Sequence, residues 1–275
     1  MPATAALKQI FAANRADGRV AFEVAARDGV TRRVRVAEDG PLRARFPAAD
    51  SGSLEAMIVN TAGGIAGGDR HRLDIAVGLD ARLVVTTAAA EKVYRSLGPD
   101  ASIDVTLKVA AGGHLSWLPQ ETILFDRARL ARRIDVDLAE GASLLMAEAV
   151  VFGRSAMGET VEEGYLRDRW RLRQGAKLVF AETLRLGGPI SRKLAEPAVA
   201  SGGVAIATVL TVPGSDAAVE QVRALSESFS GEVAISAWNG LAVTRLCAKD
   251  GAALRGDLAA VLTALGGGLP RLWLN

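Results

Sequence analysis

The run Ile134-Asp135-Val136-Asp137-Leu138, turning through Gly141 into Leu144-Leu145-Met146, sets the fold class. Its first limb alternates apolar with polar, the period of a strand with one wet face. Its second limb is apolar throughout, as in a strand covered on both faces. The pattern recurs. Ile75-Ala76-Val77-Gly78-Leu79 leads through Asp80-Ala81 to Leu83-Val84-Val85, and Ile103-Asp104-Val105-Thr106-Leu107 leads through Gly112-Gly113 to Leu115-Ser116-Trp117. Arg169-Trp170-Arg171-Leu172 leads through Gly175 to Leu178-Val179-Phe180. Leu107, Leu138 and Leu172, taken as equivalent, lie 31 and 34 residues apart. Repeats at that spacing imply stacked layers sharing one continuous core. No helix-period segment interrupts them, which argues against an α/β nucleotide-binding fold.

Upstream, Val34-Arg35-Val36 and Leu42-Arg43-Ala44-Arg45-Phe46 also alternate, with Asp39-Gly40-Pro41 as the turn between them. Helices come late. Ser215-Asp216 can cap a segment whose Val219, Val222, Leu225 and Phe229 share a face. Leu258, Val261, Leu262 and Leu265 make a second apolar stripe, stopped by Gly266-Gly267-Gly268. Strands at 232–236 and 241–246 lie between the two. The chain therefore reads as mainly β: stacked strand–turn–strand layers, β-helical or sandwich-like, with two helices in a small α+β end. With no Pro- or Ser-rich linker, residues 1–275 form a single domain, a β body over 1–212 and the α+β end over 213–275 packed on it.

Composition narrows the function classes. An apolar content of 49% and a charged content of 23% are ordinary for a soluble globular protein. A net charge of +2 gives no electrostatic case for nucleic acid. Arg32-Arg33 and Arg132-Arg133 read as solvated strand faces. Residues 1–20 lack the apolar core of a secretory signal, and the weakly charged 198–214 is too short and broken to span a bilayer. The single cysteine, Cys247, excludes an internal disulfide and fits a reducing compartment. A cytoplasmic protein without membrane or nucleic-acid partners is expected. A mean hydropathy of +0.20 predicts poor solubility alone and exposed patches that meet a partner.

The densest motif is Asn60-Thr61-Ala62-Gly63-Gly64-Ile65-Ala66-Gly67-Gly68-Asp69-Arg70. After the apolar Met57-Ile58-Val59, its two Gly-Gly pairs describe a strand end entering a tight loop. Such a loop either is a structural turn or presents N–H groups to an anion. It lacks both the G-x-G-x-x-G and the G-K-[ST] spacing.

Side-chain chemistry is sparse. His71 and His114 are the only histidines, and no H-E-x-x-H or C-x-x-C occurs. No tight metal site is expected, with Asp69 and His71 as weak candidates. Gly153-Arg154-Ser155-Ala156-Met157-Gly158 is one residue too long for a nucleophile elbow. An independent enzyme is not expected. Glu148 and Glu182 stand out as carboxylates in otherwise apolar second limbs, 144–152 and 178–186. Burial there demands pairing, hydrogen bonds or water. They form ion pairs with an arginine such as Arg154 or Arg185, or line a polar passage, or serve glycoside hydrolysis. A passage of carboxylates and carbonyls would hold nickel weakly, which suits transfer rather than storage.

The glycine loop resembles the signature of the urease accessory protein UreD (UreH) family. Further blocks agree in order: Thr86-Thr87, Glu91-Lys92-Val93-Tyr94-Arg95-Ser96, and Leu118-Pro119-Gln120-Glu121-Thr122-Ile123-Leu124-Phe125. Phe152-Gly153-Arg154, Met157-Gly158-Glu159-Thr160 and Leu269-Pro270-Arg271-Leu272-Trp273-Leu274-Asn275 follow. The resemblance runs from about Asn60 to the end; the first fifty-odd residues match weakly.

The resemblance implies a mostly β fold with two late helices and a chaperone role in urease maturation. It implies that the chain binds apo-urease, that UreF bridges it to the GTPase UreG, and that nickel passes as a transported ion, with no tightly bound cofactor. It also implies a polar passage, onto which Asp69, Glu148 and Glu182 map, with Glu91 weaker. Ala88 stands where many relatives carry glutamine after the paired threonines, which puts the 86–91 lining in question. The rivals are a β-rich glycosidase using Glu148 and Glu182, disfavoured by an aromatic content of 5%, and a phosphate- or nucleotide-binding module using Gly63, Gly64, Gly67, Gly68 and Asp69.

Overall fold

A computed structural model describes residues 14–47, 53–154, 157–266 and 268–273. Of the stretches singled out above, residues 1–13, Ser155-Ala156, Gly267 and Leu274-Asn275 lie outside the described residues.

Two sheets stack face to face, and a helical layer covers the far side of one. The first sheet holds β1 (Asp17–Arg27), β2 (Val30–Asp39), β5 (Arg70–Val77), β8 (Ala101–Val109), β11 (Arg129–Leu138), β13 (Glu163–Gln174) and β14 (Lys177–Pro189). Its order is β14-β13-β11-β8-β5-β1-β2. The second begins with β3 (Leu42–Arg45), β4 (Leu54–Asn60), β6 (Arg82–Thr87), β7 (Glu91–Val93), β9 (His114–Trp117) and β10 (Thr122–Leu124). It is completed by β12 (Ser143–Phe152), β15 (Ala205–Val212), β16 (Glu232–Trp238) and β17 (Leu241–Ala248). Its main path is β16-β17-β15-β12-β9-β6-β4-β3, with β10 joining β12 to β7.

The repeat produces this arrangement. β5, β8 and β11 pair in parallel in the first sheet, as do β6, β9 and β12 in the second. Within each of these three units the crossing from the first sheet to the second is a four-residue corner, at 78–81, 110–113 and 139–142. The corners stack: the Ala110 N–H donates to the Val77 carbonyl and the Ala139 N–H to that of Val109. This is the layered body the repeat predicts.

Two details differ. Leu107 lies opposite Val136, which lies opposite Leu172, whereas Leu138 faces Val109 and Gln174. Aligning the units on leucines is thus two residues out at Leu138, an even shift that leaves every side chain on its expected face. The fourth unit also departs, because β13 and β14 form an antiparallel pair within the first sheet. Its two-residue link, 175–176, folds the chain back where a four-residue corner would carry it across. β14 is therefore an edge strand, largely exposed or half-buried, and not covered on both faces.

β12 behaves as its unbroken apolar pattern demands. Met146 and Val150 point between the sheets, while Leu145, Ala147, Ala149 and Val151 pack under the helical layer. The short α1 (Ile190–Ala195) has too few residues to show a helical period and was not legible. α2 (Asp216–Arg223) is capped by the Ser215 hydroxyl accepting from the Ala218 N–H. It ends before Leu225 and Phe229, contrary to the apolar stripe. Ser228 donates its hydroxyl to the Leu225 carbonyl there, a local bond that competes with helix continuation. α3 (Gly251–Ala264) buries Leu258, Val261 and Leu262 as its stripe predicts. Among the described residues, no helix is long and apolar enough to cross a membrane.

Candidate functional site

The space between the sheets holds two separate apolar clusters, one around Ile134, Met146 and Trp170, the other around Leu130, Val150 and Leu166. Three charges sit on the seam. Arg132 lies between Leu130 and Ile134 on β11, Asp168 between Leu166 and Trp170 on β13, and Glu148 between Met146 and Val150 on β12. All three are 4–6% exposed. Arg132 donates through Nη1 to Glu148 Oε2 and to Thr122 Oγ1, and through Nη2 to Asp168 Oδ2 at 2.5 Å. Each carboxylate also accepts an indole N–H, Glu148 from Trp117 at 2.8 Å and Asp168 from Trp170 at 3.0 Å. The Arg132 Nε is buried without a partner among the described residues.

Arg132 is thus no part of a solvated face, although its neighbour Arg133 is exposed. The arginine predicted beside Glu148 is Arg132; Arg154 instead pairs with Glu159 at 2.9 Å, and Arg185 stacks on the Tyr165 ring. Burial pushes the Glu148 carboxyl up, to about 7, against the pull of Arg132 and the Trp117 bond and with the push of Asp168. Arg132 loses solvation, yet Asp168 and Glu148 outweigh that loss and hold it charged.

This cluster floors a cavity of about 450 Å³. Its lining reaches the edge strands of both sheets, with Glu182 and Leu184 from β14 and Glu232, Val233 and Ala234 from β16. Arg245 of β17 bridges the sheets by a two-pronged pair with Glu182, at 2.8 and 2.5 Å. The structure therefore brings Glu148 and Glu182 into one cavity. Its lining carries four carboxylates (Glu148, Asp168, Glu182, Glu232) against two guanidiniums, Arg132 and Arg245. That balance favours a cation over an anion.

The other predicted residues lie elsewhere. Glu91 does not line the cavity, but the parallel register places it beside Thr122, which places Thr122 beside Val150. All three share the inner face, so polar groups continue from Arg132 through Thr122 to Glu91. Burial raises the Glu91 carboxyl to about 7, opposed by its bonds from Asn60. Asp69 is separate from this belt; its two oxygens accept from the Ala16 and Ala66 N–H groups. His71 is buried with Nε2 unpartnered among the described residues, and desolvation lowers its pKa despite Asp69 and Asp17 nearby. His114 bonds Ser143 and Ser116 at a corner. Among the described residues, no three His, Cys, Asp or Glu side chains converge on a common metal position.

Comparison with known proteins decides the family. The model of the UreD urease accessory protein family matches residues 16–273. This chain belongs to the UreD urease accessory protein family. It is 61% identical over 274 residues to a urease accessory protein UreD of Rhodopseudomonas palustris strain BisB5, covering 99% of this chain and 97% of that one. It is 62% identical over 266 residues to the UreD of Bradyrhizobium diazoefficiens, covering 97% and 96%.

The sequence blocks that carry the UreD resemblance meet in space. A Cβ on Gly64 would stand 2.4 Å from the Tyr94 ring, and one on Gly67 would stand 2.0 Å from Ser96 Oγ. The glycines are there to let the 91–96 block close on the loop, and the Tyr94 hydroxyl completes it by donating to the Gly63 carbonyl. The loop N–H groups of Gly63, Ile65, Ala66, Gly68 and Asp69 bond to oxygens of the protein itself, so the loop reads as a brace and not as a phosphate cradle. Arg255 of α3 pairs with Glu121 at 2.9 Å, donates to the Leu272 and Trp273 carbonyls, and stacks on Trp273. The Trp273 indole donates to the Leu118 carbonyl, which joins the 118–125 block to the terminal one.

Proposed function

We propose that this UreD-family chain is a non-catalytic urease maturation factor. It binds apo-urease together with UreF, which links it to the GTPase UreG, and its cavity forms part of a polar route by which nickel reaches the nascent urease site. The observation that carries this reading is the convergence of Glu148 and Glu182 on one cavity with an excess of carboxylates. Glu91 extends the polar belt inward, and Asp69 braces the loop.

The chemistry suits passage. Hard oxygen ligands hold nickel weakly compared with imidazole or thiolate. Glu148 and Asp168 are already engaged by Arg132, and Glu182 by Arg245, so a cation entering the cavity competes with a guanidinium for each. Such competition makes binding shallow and release fast. The same pairing counts against a glycosidase, whose acid and nucleophile must be free to act on a sugar.

Co-expression with apo-urease, with and without UreF, tests the assembly. The chain is expected to co-purify with both; failure to recover it with either partner under both conditions rejects the proposal.

A further inference from the structure

The outer face of the first sheet is unevenly charged. At the β1–β5 end arginines meet aspartates across strands, as in Arg19–Asp74 at 2.9 Å and Arg72–Asp17 at 2.5 Å. At the β11–β13–β14 end the match fails. Arg167, Arg169, Arg171 and Arg173 alternate along β13, so all four project from one face, about 6.7 Å apart. Strand register sets Arg133 of β11 beside Arg169, and Arg185 of β14 beside Arg167. Against these six arginines stand Asp135 and Asp137 of β11 and Asp104 of β8, which register sets between Arg133 and Arg72.

Asp135 is shared by Arg133 and, at 3.7 Å, by Arg169, whose Nε is buried and unpartnered among the described residues. Arg171 donates to the Trp170 and Glu182 carbonyls, and Arg185 rests on Tyr165. Arg167 and Arg173 are exposed and make no ion pair among the described residues, although register sets Asp137 beside Arg173. A fold could hold this strand with any polar residue on its wet face. Guanidinium forks at strand spacing instead match carboxylates presented by another surface.

We propose that the β11–β13–β14 face is a docking surface for the acidic face of a protein partner. This rests on the maturation-factor reading, which requires protein partners. A protein is favoured over a phosphate chain because Asp135 and Asp137 interrupt the face. A partner surface of mixed sign accommodates them, whereas a continuous run of phosphates is repelled.

Full-length wild type, Arg167→Glu/Arg173→Glu and the control Arg32→Glu/Arg35→Glu are titrated against immobilised apo-urease and immobilised UreF. The control makes the same charge change on exposed β2 residues. Parallel arms use a short DNA duplex, single-stranded RNA and phosphatidylserine vesicles. Arg167→Gln/Arg173→Gln serves if the reversed variant does not fold. The expected result is a loss of about tenfold or more in affinity for one protein probe, steepened at low salt, with the control within about twofold. Equal binding of all variants to both proteins overturns the docking face and leaves the maturation reading intact. A loss confined to nucleic acid or vesicles overturns it too. If wild type binds neither protein, the maturation reading fails and the docking face falls with it.

Discussion

Arg132 of one sheet reaches Glu148 of the other across the seam between two apolar clusters, and Asp168 completes the clamp from a neighbouring strand. Such a buried arrangement holds only while every charge is paired, since one stranded ion inside a core costs more than the pair contributes.

Arg132→Met leaves Glu148 and Asp168 facing each other without a cation. Stability falls by about 3–5 kcal/mol at pH 8, read from urea denaturation. The loss shrinks toward pH 5, because the stranded Glu148 carboxyl, already raised by burial, takes up a proton in the folded state. Adding Glu148→Leu and Asp168→Leu to the same chain recovers most of the stability. A single variant as stable as wild type would contradict the clamp.

Glu91 gives a pH signature of its own. Burial holds its folded pKa at about 7, above the ordinary carboxyl value of 4.5, so the folded state holds its proton more tightly than the unfolded chain does. Stability from this group is full below pH 4.5 and declines as pH rises to 7. Glu91→Gln removes that decline, and thermal melts are expected to show the variant about 3 kcal/mol more stable than wild type at pH 8 and level with it at pH 4.5.

The glycine loop separates backbone strain from crowding. Gly63→Ala meets nothing within 4 Å but keeps a φ of +77°, and costs about 1 kcal/mol. Gly64→Ala adds collision with Tyr94 to a φ of +145°, and costs about 3 kcal/mol or more. Equal losses in the two variants would mean that the close approach of Tyr94 is not what the second glycine serves.

The β body was readable because strand periodicity and corner length are both local properties. Three units with four-residue corners cross between the sheets, and the fourth, with two link residues, cannot. Leu172 to Leu178 is shorter than Leu107 to Leu115 by two residues, so this departure was visible in the spacing. The clamp was half visible. Leu130, Arg132, Ile134 and Val136 share parity on β11, as do Leu166, Asp168, Trp170 and Leu172 on β13. Reading Arg132-Arg133 as a solvated pair overlooked that alternating residues of a strand face opposite ways. Arg245 was not legible, because its partnership with Glu182 joins residues 63 apart across two sheet edges.

The exposed half of the site separates function from stability. The Glu182–Arg245 pair is partly solvated, with side-chain exposures of 22% and 55%. Glu182→Gln is therefore expected to change stability by less than about 1 kcal/mol.

The most direct measurement is the nickel content and activity of urease from cells carrying the complete maturation set, with wild type, Glu148→Leu or Glu182→Leu in this chain. Recovery of the chain with apo-urease and UreF is followed in the same strains. The polar-route account predicts normal complexes with nickel content and activity reduced together in both variants. Normal complexes with unchanged nickel content would contradict it, and would leave this chain a scaffold without a conduit.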